Sequence, residues 1–220
     1  FDGVAFSPDG KRFYVSGGSH GTLYIFKYAG GKAELEKTVK PAPAAPTVFL
    51  AGLTVNRASA MLYVCNEANH EVWVVEPGTF TTERAIPVGQ YPHSCVLGAD
   101  GRHLYVSNWG SRSVSIVDLK SCRRLRDIAV GIRPNDMALA PDGRLFVACA
   151  GDNTVHVITT AKVEAAGPEA SPRRRLFEGT REILSPSLCP QSPEGSTPCA
   201  LAVAPDGRTF RLTARADRIE

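Results

Sequence analysis

Residues 98–118, GADGRHLYVSNWGSRSVSIVD, decide how the rest of the chain is read. Asp100-Gly101 marks a tight turn, because glycine reaches positive φ without steric penalty. Leu104-Tyr105-Val106 follows as an apolar, aromatic and β-branched strand. A polar loop runs from Asn108 to Ser113. Val114-Ser115-Ile116-Val117 then returns as a second strand, with Val114 and Ile116 on one face.

Most of the remaining chain repeats this unit. The strand aromatic recurs as Tyr14, Tyr63, Tyr105 and Phe146, at intervals of 49, 42 and 41 residues. Nine residues after each marker stands Leu23, Val72, Val114 or Val155, and eleven after stands Ile25, Val74, Ile116 or Val157. Paired apolar residues precede each turn: Val4/Phe6, Leu53/Val55, Cys95/Leu97 and Met137/Leu139. A register kept at so many positions identifies an internal repeat. A fourth strand is read at 83–88 and 125–130, each followed by a glycine, Gly89 or Gly131. Four antiparallel strands in about 42 residues make one propeller blade, a unit that buries its faces only against neighbouring copies.

The expected architecture is all-β: a β-propeller of four-stranded antiparallel blades, present as an incomplete arc of about four to five blades. Blades are expected at 2–40, 49–89, 91–131 and 133–163, with an incomplete one at 196–220 and an insertion loop at 164–195. Ala58-Ser59 stands where other units carry Asp-Gly, so the second turn is expected to differ. The tail RTFRLTARADRIE, 208–220, puts charges where other units are apolar. It reads as a frayed remnant rather than a strand pair.

The 220 residues suffice for one sizeable domain, and 43% hydrophobic with 21% charged residues is ordinary for a globular chain. A net charge of +3 is too small to argue for nucleic acid. No apolar run approaches the roughly 18 residues of a membrane span. Phe1 falls inside a repeat and no leader pattern is present, so the chain is expected to be a fragment. The six cysteines show neither CxxC nor metal-ligand spacing and are expected to be mostly free, partly buried thiols, with disulfides as the alternative for an exported protein.

SPDGKRFYVS (7–16), ADGRHLYVSNWGSRSVSIVD (99–118) and APDGRLFVACAGDNTVHVI (140–158) resemble YVTN repeats. That family forms bacterial and archaeal β-propellers, often seven-bladed, so the resemblance implies a seven-bladed parent. CPQSPEGSTPCALAVAPDG (189–207) resembles the late-blade segment of YncE-like propellers that, in longer relatives, precede an alkaline-phosphatase-superfamily phosphoesterase domain. The family segment commonly has Asn where Cys199 stands. The resemblance implies a periplasmic or extracellular location and a downstream phosphoesterase domain or protein partner.

The slot seven residues before each turn Asp starts the innermost strand; it holds Asp2, Ala51, His93, Asn135 and Cys199. In propellers such positions face the central channel or its rim, so His93, Asn135 and Asp136 form the best polar cluster for a ligand. The second-to-third-strand loops gather on one rim, which makes Asn108 and Trp109 further candidates, Trp109 as a contact aromatic. His20 and His70 lie in equivalent loops but are too isolated to be ligands, and Asp152-Asn153 reads as a turn. Glu67, Glu71 and Glu76 fall on different faces, so no acid–base pair follows from them. Arg173-Arg174-Arg175 reads as a solvated run.

GxSxG, HExxH, P-loop and strand-linked GxGxxG signatures are all missing from the sequence. The expectation is a non-catalytic binding or scaffolding module with no catalytic residues, metal or cofactor. A lactonase-like hydrolase using His93, Asn135 and Asp136 is the alternative. The second alternative is a surface propeller binding protein or glycan through Trp109.

Overall fold

Turn chemistry shows first how each unit is made. In the computed structural model, which describes residues 3–42, 47–161, 180–184, 196–204, 206 and 210–216, Asp9, Asp100 and Asp142 each accept a backbone N–H two residues on, from Lys11, Arg102 and Arg144. Gly10, Gly101 and Gly143 follow at φ of 69°, 64° and 80°. The second unit solves the same turn differently. Asn56 accepts the N–H groups of Ala58 and Ser59, and Ala60 takes φ of 60°. An amide oxygen and a left-handed alanine replace the Asp-Gly device.

These turns join the first and second strands of four antiparallel sheets of four strands. The first holds β1 (Val4–Phe6), β2 (Arg12–Ser16), β3 (Leu23–Ala29) and β4 (Lys32–Val39). The second holds β5 (Leu50–Val55), β6 (Leu62–Asn66), β7 (Glu71–Val75) and β8 (Thr82–Pro87). The third holds β9 (Pro92–Leu97), β10 (His103–Asn108), β11 (Ser113–Asp118) and β12 (Arg123–Ala129). The fourth holds β13 (Pro134–Leu139), β14 (Arg144–Cys149), β15 (Thr154–Thr159) and β16 (Thr180–Leu184). That outer strand lies within 164–195, the segment the sequence set apart as an insertion. The triple arginine of that segment lies outside the described residues.

A bulge falls at the same repeat position in each four-stranded sheet, just after Ile25, Val74, Ile116 and Val157, where the outermost strand slips by one residue. Such a bulge bends the strand and adds twist. The repeat therefore carries a backbone irregularity as well as a hydrophobic pattern.

The tail departs from its expected frayed state. β17 (Ser196–Val203) and β18 (Phe210–Ala216) form an antiparallel pair from Ser196↔Ala216 to Val203↔Phe210. The ladder needs only main-chain donors and acceptors, so side-chain charge does not prevent it.

The markers occupy like environments. Tyr14, Tyr63, Tyr105 and Phe146 are each at most 5% exposed, and each belongs to a separate cluster between one sheet and the next. Innermost strands touch in chain order, β1 with β5, β5 with β9, β9 with β13 and β13 with β17. They approach closely: a Cβ on Gly52 would lie 2.6 Å from the His93 carbonyl oxygen. The sheets are propeller blades in an unclosed array. The face of the first sheet turned away from the second leaves Val4 60% and Phe6 53% exposed, beside the stacked rings of Phe13 and Phe26.

Candidate functional site

The end of the molecule where β6, β10 and β14 finish and β9 and β13 begin carries the candidate residues. His93, second residue of β9, is partly exposed, and its Nδ1 lies 2.8 Å from Glu67 Oε1. The ionised carboxylate only accepts, so the proton sits on Nδ1. Glu67 opens the 3-10 turn Glu67–Asn69 that follows β6, and the pair therefore bridges the second and third sheets. The sequence reading set Glu67 aside with Glu71 and Glu76 and did not pair it with His93. The signal was its place four residues after Tyr63, matching Trp109 after Tyr105.

Asp136 works as a brace. Its Oδ1 accepts from the Met137 N–H at 2.9 Å and the Ser94 hydroxyl at 3.4 Å. Its Oδ2 accepts from the Leu201 N–H at 2.9 Å. One carboxylate thus ties together the innermost strands of the third, fourth and last sheets. Asn135 gives its carbonyl oxygen to the Ser107 hydroxyl at 2.7 Å, while its side-chain Oδ1 is buried without a partner among the described residues. Such an atom requires a donor from water or a ligand.

Asn108 is fully buried. Its Oδ1 accepts the Gly89 N–H at 3.1 Å, and its Nδ2 donates to the hydroxyls of Ser113 and Ser115 at 3.1 and 2.9 Å. Its amide is consumed inside the blade and does not reach the rim.

Trp109 stands at the surface, 38% exposed, with Tyr91 beside it at 47%. Their rings meet edge-on at 6.4 Å, and the Arg133 guanidinium lies over the indole, 4.8 Å from its centre. On the far side of Tyr91 the His70 ring meets it edge-on at 5.0 Å, and His70 Nδ1 accepts the Tyr91 N–H at 3.1 Å. His70, Tyr91 and Arg133 hold φ of 60°, 52° and 53°. Main-chain bonds from Trp109 and Gly110 N–H to Tyr91 and Gln90 fix the strip. It crosses three consecutive sheets. His93, Asn135 and Asp136 stand on the adjacent strand starts, whereas Asn108 turns inward.

No group of three or more His, Cys, Asp or Glu among the described residues is arranged to hold a metal ion. Asp152 serves the local chain instead: its two oxygens accept from the Ile132 N–H and the Thr154 hydroxyl, both at 2.8 Å. No helix of the described residues is long and apolar enough to cross a membrane.

Comparison with known proteins bears on the fold and the family. The chain is similar to the solved structure of Kuenenia stuttgartiensis hydrazine synthase, with 21% identity and a TM-score of 0.77 over 98% of this chain. It spans 56% of that chain's length, and at this identity the likeness concerns fold alone. Curated protein sequences give no match. A WD domain, G-beta repeat model matches residues 2–27. The model for the YNCE-like beta-propeller matches residues 24–162, well over half the sequence, and the chain belongs to that family.

Proposed function

We propose that the chain is a non-catalytic recognition module of a larger exported protein and binds through the His70–Tyr91–Trp109–Arg133 strip. The observation that carries this reading is the exposure of two aromatic rings held rigidly across neighbouring sheets. Exposed Trp and Tyr with Arg are the side chains that dominate binding hot spots. Asp136 and Asn108 support the reading by being tied into the scaffold rather than presented to a substrate. Family membership favours an exported location, and the 189–207 resemblance favours a phosphoesterase domain as neighbour.

Replacing Trp109 by Ala tests the proposal. Partners captured from extracytoplasmic extract by the parent should be lost from W109A and kept by a control variant such as K32A, on the exposed outer strand β4. Equal capture by parent and W109A would overturn it.

A second reading rests on one observation, the Glu67–His93 pair, since a carboxylate-held imidazole is an arrangement that hydrolases use for proton transfer. Lactone hydrolysis by the parent that falls at least tenfold in H93A and E67A would favour it. Hydrolysis unchanged in both would remove it.

A further inference from the structure

Glu67 with His93 and Cys65 with Cys95 lie where the second sheet packs on the third. Cys65 lies in β6 and Glu67 opens the 3-10 turn two residues on, while Cys95 and His93 stand two apart in β9. Glu67 meets His93 at 2.8 Å. Beneath that pair Cys95 Sγ lies 3.5 Å from the Tyr63 carbonyl oxygen and 3.9 Å from that of Gly52. Tyr63 precedes Cys65 by two residues, so Cys65 is bracketed by two contacts that both reach β9. Cys65 and Cys95 are both free, 0% and 5% exposed, and share one apolar cluster.

Sheets packed face to face usually lie about 10 Å apart, too far for most cross-seam side chains to bond covalently. The innermost strands converge here. Gly52 lets the β9 main chain come so near β5 that a Cβ would meet the Ser94 Cα at 2.8 Å. At the equivalent slots the other seams carry Ser16 with Leu53, Ser107 with Met137 and Ala148 with Leu201. At the seam between the second and third sheets both slots hold cysteine.

We propose that Cys65 and Cys95 form a reversible disulfide that fastens the second blade to the third beneath the Glu67–His93 pair. The oxidant is a disulfide compound, either a small-molecule disulfide or a protein dithiol oxidase. One cysteine thiolate attacks the oxidant's disulfide and releases its first thiolate, leaving a mixed disulfide. The other cysteine thiolate attacks the protein sulfur of that bond and releases the second thiolate. Two electrons and two protons leave the pair, and the oxidant becomes two thiols. Burial, followed by contact with the Cys95 thiol, pushes the Cys65 thiol well above its usual range. The closed seam therefore reacts slowly, and the bond forms while the two blades are still coming together. The inference stands apart from the binding role of the aromatic strip.

The experiment is a peptide map. The chain is refolded in oxidised plus reduced glutathione, blocked with an alkylating agent and digested without reductant. The expected product joins the Cys65 peptide to the Cys95 peptide and separates on adding dithiothreitol. The expected unfolding midpoint of the oxidised form is roughly 5–10 °C above that of the reduced form. C65S and C95A should show neither, and the map on the parent stands even if a variant fails to fold. Full alkylation of both cysteines after oxidative refolding, or a bond from either to Cys122, would overturn the pairing. A bond that leaves the midpoint unchanged or lowered would overturn the fastening role.

Discussion

The seam between the second and third sheets and the seam between the third and fourth use the same slots with different chemistry. Four residues after the marker, Glu67 grips His93 across the first seam, and Trp109 carries Arg133 across the second. Two after the marker stand Cys65 and Ser107, one packed in the same apolar cluster as Cys95, the other donating to the Asn135 carbonyl oxygen. One step into the innermost strand stand Ser94 and Asp136, and the acid reaches strands on both sides of it. The backbone repeat fixes where residues from neighbouring blades meet. Side-chain identity then decides whether a meeting point is a brace, an exposed surface or a redox pair.

If the backbone frames are equivalent, Y63A and Y105A should cost alike, about 3–5 kcal/mol each by denaturant unfolding. A large inequality would show that the seams are not copies. Next in size, D136A should cost about 2–3 kcal/mol, because the Leu201 and Met137 N–H groups lose their acceptor. E67A at the other seam should cost about 1 kcal/mol or less, since the Glu67 and His93 side chains are 21% and 32% exposed. Reversal of that order would mean the ion pair, not the carboxylate brace, is the stronger fastening.

Acid separates two further groups. Burial pushes the Asp118 carboxyl up, but hydrogen bonds from Arg102 and Ser121 outweigh this and hold it at about 2. The folded value lies below the unfolded one, so its contribution is present above roughly pH 4 and is lost as pH falls towards 2. The Arg102 side chain is 59% exposed, which limits the contribution to about 1 kcal/mol, and D118N should abolish this acid dependence. His156, at the seam with the third sheet, is pushed down by burial, its Nδ1 without a partner among the described residues. Its unfolded form takes up a proton that the folded form resists, so stability should begin to fall as pH drops below about 6.5, and H156Q should flatten that step. The smallest effect is spectroscopic. Trp73 is 3% exposed and Trp109 is 38% exposed, so acrylamide should quench one emission component, and W109F should remove it.

Much of the frame was legible because a blade is specified locally. The markers, the aliphatics nine and eleven residues on, and the Asp-Gly turns all act within one hairpin. The second turn was flagged as different by Ala58-Ser59, though Asn56 was not read as the substitute. Contacts that cross a seam were less legible. Glu67 and His93 stand on different sheets, and adjacency of those sheets alone does not give the rotation that aligns them. Asn108 looked like a rim residue from its loop position, but it is the last residue of its strand and points into the blade. Asp136 looked like a ligand because it is polar and near the axis. The axis is also where innermost strands leave main-chain N–H groups in need of acceptors. The tail was misjudged because its charges were weighed and its backbone pairing was not.

Native-state amide hydrogen exchange across β6, β10 and β14 tests most directly whether successive sheets are equivalent copies sharing both faces with neighbours. The amides around Tyr63, Tyr105 and Phe146 should be the slowest in the chain, with protection factors within about tenfold of one another. Exchange in one of those strands a thousandfold or more faster than in the other two would contradict the account.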